Sequence, residues 1–231
     1  GDVTFYNLDG DAIEKEPTQI KWDAEAAEKG GYEHFMMKEI HEQPRAVRDT
    51  VRSVVKENAI DLSALALTPE FVQALDTVHI VACGSAYHVG VAAQYVLEDL
   101  ARLRVRVELA SEFRYRRPLL RGKDLVIVIS QSGETADSLA ALREAKGQGV
   151  KTLGIVNVVG SSIAREADNV FYTLAGPEIA VATTKAYSAQ LVACYLLAVE
   201  FARLRGQLDE QAYGRLVDDI QQLPEKMERV L

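Results

Sequence analysis

At 231 residues, 48% of them hydrophobic and 26% charged, the chain is long and apolar enough for one good-sized domain plus additional segments. A net charge of −8 argues against a general nucleic-acid or anionic-membrane surface, and two cysteines, Cys83 and Cys194, argue against a disulfide framework and favour a reducing cytoplasmic location. The apolar helical pattern over residues 186–204 is interrupted by Gln190 and Glu200, so no membrane-spanning helix is expected.

The N-terminal part of the chain has short, separate elements. Residues 3–8 are predicted to form a strand that ends at a tight Asp9-Gly10 turn, followed by a second short extended segment around Ile13 and Ile20. A single hairpin is not stable alone, so this segment is expected to belong to another domain or to pack on this one.

A helical pattern covers residues 24–57. The Gly30-Gly31 pair should break it early, and Pro44 should break or restart it, with the proline in the first turn of a new helix. A further short helix is expected after Thr68-Pro69.

From Val78 onward, short apolar strands alternate with helices. The predicted strands cover residues 78–82, 105–109, 125–129, 152–156 and 170–174. One predicted helix runs from about 87 to 103, a second follows the 125–129 strand and its turn and ends at about 147, and a third lies near 184–204. This alternation predicts an α/β protein: a three-layer αβα arrangement with a doubly wound, parallel, five-stranded sheet. Residues 207–228 are predicted to form a charged amphipathic helix, a candidate connector.

The turn at residues 130–135 is the most informative local feature. It follows a β-branched strand, precedes a helix, and carries Gly133 with the hydroxyls of Ser130, Ser132 and Thr135. Unpaired N–H groups and the dipole at a helix start favour an anion, so the pattern indicates a phosphate held by hydrogen bonds without a metal. The alternative is that these hydroxyl residues are ordinary N-caps. Neither a Walker loop nor a G-x-G-x-x-G dinucleotide motif is present.

Ligands of such sheets bind beyond the carboxyl ends of the strands. Two other polar or small segments follow predicted elements there, at residues 83–86 and 179–185. A third segment, at 157–162, contains a serine pair that could simply cap a short helix.

Several reactive or charged side chains have a simpler interpretation. The arginine cluster is interpreted as a solvated face rather than a phosphate-steering surface; it comprises Arg114, Arg116, Arg117 and Arg121. No metal site is indicated, because His34 and His41 lack further ligands at a known spacing. His88 is assigned a helix-packing or surface role, and Cys83 a structural one.

The motifs of the chain occur in the order found in sugar isomerase (SIS) domains. They are Ala-Cys-Gly-Ser at 82–85, Ser-Glu-Phe-Arg-Tyr-Arg at 111–116, Ser-Gln-Ser-Gly-Glu-Thr-Ala-Asp at 130–137 and Ala-Thr-Thr-Lys-Ala at 182–186. Residues 29–44, with the sequence KGGYEHFMMKEIHEQP, resemble more narrowly the lead-in helix of the glutamine–fructose-6-phosphate aminotransferase (isomerizing), or glucosamine-6-phosphate synthase, family. In that family the helix joins a glutaminase half to an isomerase half of two SIS domains.

The resemblance implies four regions. Residues 1–22 correspond to the end of the glutaminase domain, 23–75 to the helical lead-in of the isomerase half, 76–206 to the first SIS domain, and 207–231 to a connector toward a second SIS domain. It also implies a cytoplasmic homodimer that acts on fructose 6-phosphate and forms glucosamine 6-phosphate, with no cofactor, nucleic acid or membrane involved.

The resemblance also implies a site. Its phosphate-binding residues would be Ser130, Gln131, Ser132 and Thr135, and its sugar-binding residues Gly84, Ser85, Ala86, Val181 and Ala182. The family commonly has a hydroxyl residue at the position of Ala86, which puts one hydrogen bond in doubt. Glu134 should face away, because a carboxylate beside a phosphate repels it.

No catalytic residue is expected in this chain. In the family, the glutamate base, the ring-opening histidine and the Schiff-base lysine come from the second SIS domain and the C-terminal tail. Lys185 is therefore expected to order the turn before the long helix, and the chain alone is expected to bind sugar phosphate weakly, if at all, and to lack synthase activity. A sugar-phosphate-sensing regulator would need a basic helix-turn-helix ahead of the SIS fold, and a stand-alone phosphosugar isomerase its own base and histidine; neither is indicated.

Overall fold

The computed structural model describes residues 3–15 and 28–231. At the N-terminus, strands β1 (Phe5–Tyr6) and β2 (Ala12–Ile13) pair antiparallel. The Asn7 side chain closes their turn by accepting hydrogen bonds from the backbone N–H groups of Asp9 (3.0 Å) and Asp11 (2.8 Å). The strand expected over 3–8 is thus only two residues long. The extended segment expected near Ile20 lies outside the described residues.

Helix α1 (Phe35–Val54) runs without interruption through Pro44, so the predicted break at this proline is wrong. Proline has no N–H for the carbonyl of residue 40, and the Gln43 side-chain amide donates to that Ile40 oxygen instead, at 3.1 Å. The early break is confirmed: Gly30 and Gly31 both have positive φ, and the helix begins only after them. Residues 24–27 of the predicted helix lie outside the described part.

Two short elements follow the helix. Strands β3 (Val55–Lys56) and β4 (Ala59–Ile60) form a tight hairpin where the sequence pattern suggested the end of a helix. Helix α2 (Pro69–Ala74) starts as predicted, because Thr68 accepts from the Phe71 N–H and Pro69 occupies the first turn.

The central sheet confirms the predicted α/β class. Its five strands are all parallel, in the order β6-β5-β7-β8-β9. The strands are β5 (Thr77–Ala82), β6 (Arg104–Leu109), β7 (Asp124–Ser130), β8 (Lys151–Val156) and β9 (Asn169–Tyr172). The associated helices are α3 (Gly84–Ala101), α4 (Ala110–Arg116), α5 (Ala136–Gly147), α6 (Ser162–Glu166) and α7 (Lys185–Leu204). Helix α4 was not predicted.

Two apolar layers enclose the sheet. One face of β5, with Val78 and Ile80, packs with α1, α3 and α7; the other face, with Val81, packs with α4 and α5. Gly90 of α3 allows the closest approach, since a Cβ there would lie 2.8 Å from Cγ2 of Ile80. The chain leaves β5 for β6 on one side and returns to β7 on the other, so strand order reverses between β5 and β7. This reversal opens the crevice where ligands of doubly wound sheets bind.

The single helix predicted over 207–228 is divided into α8 (Glu210–Gln221) and α9 (Leu223–Glu228), with Pro224 in the first turn of α9. Both helices pack against α1, and α8 also packs against α7. The segment proposed as a connector therefore contributes to the core of this chain, through Tyr213 and Val217.

Candidate functional site

A cavity of about 250 Å³ lies at the carboxyl ends of β5 and β7, in the crevice that the strand reversal predicts. Seven of the nine predicted binding residues line it: Ser85, Ala86, Ser130, Gln131, Ser132, Thr135 and Val181. Gly84 and Ala182 do not line it, although each is adjacent in sequence to a residue that does. The structure thus brings three separate segments, around residues 85, 132 and 181, to one place.

The 130–135 turn is shaped by its own hydroxyls. Oγ of Ser130 accepts a hydrogen bond from the Gly133 N–H at 3.0 Å and lies 3.2 Å from Oγ1 of Thr135, while Oγ of Ser132 accepts from the Glu134 N–H at 3.2 Å. Thr135 occupies the N-cap position of α5 but makes no side-chain capping bond. Its hydroxyl therefore does not act as an ordinary cap.

Glu134 points away from the cavity. Its Oε1 accepts from the Ser162 N–H at the start of α6, at 2.8 Å, and hydrogen bonding from Ser162 holds the pKa of this carboxyl below its usual range. The carboxylate is therefore charged but directed at another helix start, where the dipole favours it. This agrees with the expected orientation.

Two helix N-termini meet at the cavity. Helix α5 begins directly after the 130–135 turn, and helix α3 begins at Gly84, whose φ of +57° suits glycine, so that Ser85 and Ala86 of its first turn face the cavity. Among the described residues, no lysine, arginine or histidine lines this cavity. An anion here would be held by backbone N–H groups, hydroxyls and helix dipoles rather than by cationic side chains.

The third wall of the cavity comes from the segment between β9 and α7, and Glu178 organises it. Its Oε1 accepts from the N–H groups of Thr184 (2.9 Å) and Ala186 (3.1 Å), and its Oε2 accepts from Oγ1 of Thr183 (2.9 Å). Glu178 therefore caps the start of α7 from the preceding loop, because its carboxylate oxygens accept the hydrogen bonds of the first N–H groups.

Two polar cavity residues, Glu178 and Gln190, lie outside the segments that the sequence indicated. Gln190 is 3% exposed and lies in the long apolar helix, where it had been noted only as an interruption. A polar amide within an apolar helical pattern was the signal that could have indicated this residue, because buried polar groups need hydrogen-bond partners. Nothing local distinguished Glu178, because its partners lie five to eight residues away across a loop.

Lys185 does not reach the cavity. Its buried Nζ lies 2.6 Å from Oε2 of Glu42 on α1, a contact that anchors the start of α7 to the lead-in helix, as the structural interpretation expected.

Two arginines of the cluster form ion pairs with acidic neighbours. Arg114 pairs with Asp137 at 2.7 Å and Arg116 pairs with Glu108 at 2.5 Å. Neither these two nor the other two arginines line the cavity, in keeping with a solvated face.

The histidines do not form a metal site. His41 stacks on Tyr32 with 5.3 Å between ring centroids, His34 is exposed beside Glu33, and His88 is exposed on α3. Over residues 3–15 and 28–231, no group of three or more His, Cys, Asp or Glu side chains could hold a metal ion. In the same residues, no helix combines the length and apolarity that crossing a bilayer requires.

The fold is that of an α/β domain with a parallel sheet and a hydroxyl-rich turn at its strand reversal, and a family model described as SIS domain matches residues 71–200. The chain belongs to the SIS domain family. Its curated relatives include enzymes named glutamine–fructose-6-phosphate aminotransferase (isomerizing). The protein from Clostridium acetobutylicum is 54% identical over 230 residues, and that from Caldanaerobacter subterraneus is 51% identical over 230 residues. Each match covers 99% of this chain and 38% of the relative.

A solved structure of an aminotransferase is also similar to this chain. The C-terminal domain of glucosamine-fructose-6-phosphate aminotransferase from Francisella tularensis has a TM-score of 0.81 and 40% identity, covering 86% of this chain and 56% of that one. The resemblance inferred from the motifs is confirmed, and the chain spans 38% of the length of those two curated relatives.

Proposed function

We propose that this chain is the first SIS domain, with its lead-in helix, of an enzyme that makes glucosamine 6-phosphate from fructose 6-phosphate and glutamine. In this proposal the cavity between β5 and β7 binds fructose 6-phosphate. Ser130, Gln131, Ser132 and Thr135 hold the phosphate, while the 84–86 and 181–182 segments contact the sugar. The whole enzyme would be a cytoplasmic homodimer with glutaminase and second SIS domains.

The observation that carries this proposal is the use of the Thr135 hydroxyl. It occupies an N-cap position without capping, lies 3.2 Å from the Ser130 hydroxyl, and faces a cavity that two helix starts share. Hydroxyls and dipoles converging on one cavity suit a phosphate group. The names of the relatives supply the identity of the sugar phosphate.

Titration of the chain with fructose 6-phosphate and, separately, with inorganic phosphate tests the proposal, with backbone amide shifts measured by NMR. We expect weak binding by the chain alone, with both ligands shifting residues 131–135 at high ligand concentration. The substitutions Ser132→Ala and Thr135→Val should each weaken both ligands by about five- to tenfold, since each removes one hydrogen bond to a charged group.

The exposed Ser63→Ala serves as the control, because it removes a hydroxyl far from the cavity in sequence and outside its lining. Binding of fructose 6-phosphate that shifts other residues, or that survives both substitutions unchanged, would show that the site lies elsewhere.

A further inference from the structure

The lead-in helix α1 reaches the cavity wall through a buried carboxylate. Glu39 is 2% exposed, and its Oε1 accepts hydrogen bonds from the backbone N–H groups of Ile179 (2.6 Å) and Ala180 (3.1 Å). Ala180 and the next residue, Val181, line the cavity. A side chain 140 residues earlier in the chain therefore holds the backbone of this wall directly.

Two further contacts join the same face of α1 to the segment that follows the wall. Glu42, one turn after Glu39, pairs with Lys185 at 2.6 Å, and Gln43 accepts from the Ser188 hydroxyl at 2.7 Å. The 38–44 stretch of the sequence, KEIHEQP, is thus the part of α1 that forms hydrogen bonds and an ion pair with residues 179–188.

The wall depends on these contacts more than the phosphate turn does. Residues 173–184 contain no helix or strand, so their backbone N–H groups need partners from elsewhere. The 130–135 turn, by contrast, follows β7 directly and is tied to helix α6, where the Ile163 N–H donates to the Gly133 carbonyl at 3.0 Å. Loss of an α1 contact should therefore move the wall and leave the turn in place.

Glu39 also carries a cost that packing alone does not explain. Its second oxygen, Oε2, is buried with no hydrogen-bond partner among the described residues. Burying a partly satisfied carboxylate is unfavourable, and such groups in native proteins call for a specific role. A charged acceptor holds two N–H groups more tightly than a neutral one would.

We propose that Glu39 is a positioning residue for the sugar part of the ligand. It sets the backbone of residues 179–181, and through them the wall that contacts the sugar, without contributing to the phosphate grip. This inference rests on the proposed function, since it assumes that the cavity takes a sugar phosphate. It assigns the lead-in helix a part in ligand selection beyond joining domains.

The test compares two ligands on the intact chain. In the unmodified protein, fructose 6-phosphate should shift the amides of residues 179–183 as well as 131–135, whereas inorganic phosphate should shift only the latter. Glu39→Ala should weaken fructose 6-phosphate by about fivefold or more, as expected for losing hydrogen bonds to a charged group, and change inorganic phosphate by less than about twofold. Glu39→Gln keeps an acceptor oxygen and should restore most of the sugar affinity.

The matched control is Glu33→Ala, an exposed carboxylate just before α1 that should leave both affinities unchanged. Equal weakening of both ligands by Glu39→Ala, or no weakening of either, would overturn the inference and leave the proposed function standing. If Glu39→Ala fails to fold, the unmodified chain decides: identical amide shifts at 179–183 with the two ligands would overturn the inference. Absence of binding by either ligand would overturn the proposed function, and this inference with it.

Discussion

Gly133 shows how tightly the candidate phosphate turn is built. Its φ is +67°, and a Cβ there would overlap Oγ of Ser161 and lie 2.6 Å from Cβ of Ser161. Both the backbone conformation and the space therefore require glycine. The adjacent Glu134 and Thr135 are directed by this conformation, one toward α6 and the other toward the cavity.

We expect Gly133→Ala to lower the free energy of unfolding by about 2–4 kcal/mol, because it adds left-handed strain and a steric clash in a buried turn. Urea denaturation measures this directly. Gly122→Ala is the matched control, since Gly122 has no positive φ and a Cβ there meets no atom within 4 Å; it should change the stability by less than about 0.5 kcal/mol. Similar stability of the two variants would contradict the importance given to the turn.

His79 is a buried titratable group outside the candidate site. It is 2% exposed, packs edge-on against Phe113, and has Asp124 at 3.6 Å from Nε2 and Glu108 at 3.8 Å from Nδ1. Burial lowers its pKa below the usual 6.5, with Arg106 acting in the same direction, and the two carboxylates oppose this only in part. The folded protein therefore keeps this imidazole neutral to a lower pH than the unfolded chain does.

This difference predicts a pH dependence of stability. As pH falls through 6.5, the unfolded chain takes up a proton at His79 before the folded protein does, so the free energy of unfolding should decrease. We expect His79→Gln to flatten this dependence between about pH 7.5 and 5.5, measured by urea denaturation across the range. His88→Gln, at an exposed position, should keep the slope of the unmodified chain. An identical slope in the His79 variant would refute the assignment.

At the scale of elements, the Tyr213 hydroxyl adds buried hydrogen bonds to the apolar packing of helix α8. The Tyr213 hydroxyl accepts from the Ile60 N–H of β4 at 2.8 Å and donates to Oε2 of Glu200 on α7 at 3.2 Å. Glu200 is itself buried and pairs with Arg203. Two consecutive helices and the distant strand β4 thus share one buried polar contact.

Removing this hydroxyl should destabilise the chain selectively. We expect Tyr213→Phe to lower the free energy of unfolding by about 1–3 kcal/mol, because a buried N–H and a buried carboxylate each lose a partner. Thermal and urea unfolding provide the measurement. Tyr115→Phe, at a position 76% exposed, should have almost no effect. Equal stability of the two variants would mean that α8 is held by apolar packing alone.

At the scale of the whole molecule, the cavity lining contains hydroxyl, amide and backbone groups but few ionisable side chains. Within residues 3–15 and 28–231, its ionisable side chains are the Cys83 thiol and the Glu178 carboxylate. Glu178 is occupied in capping α7, and Lys185 is paired with Glu42 outside the cavity. Moving a proton between adjacent carbons of a sugar needs a free base close to the substrate.

We therefore expect the chain alone to produce no glucosamine 6-phosphate from fructose 6-phosphate and ammonia, even at ligand concentrations that saturate the cavity. Product can be measured by chromatography, with a full-length aminotransferase of the same family as the positive control. Product formed by the chain alone, and abolished by Thr135→Val, would contradict this prediction and show that the cavity contains a catalytic base.

The sequence by itself determined the class of fold and indicated which strand ends lie at the cavity. The strand cores, the three long helices α3, α5 and α7 and the 130–135 turn could all be predicted, because β-branched runs, helical periodicity and turn residues act over a few positions. Strand ends in a parallel sheet share one edge, so the crevice followed from the alternation alone. The family motifs then indicated the ligand class.

Only the tertiary structure decided what depends on distant partners. Pro44 remains inside a helix because Gln43 supplies the missing donor and because the packing of α1 on α7 holds both sides together. Glu39 contacts the cavity wall 140 positions later. No local pattern encodes such contacts, since they depend on how helices pack over the sheet. The 130–135 turn was therefore predictable from the sequence, whereas the contact of Glu39 with the 179–181 segment was not.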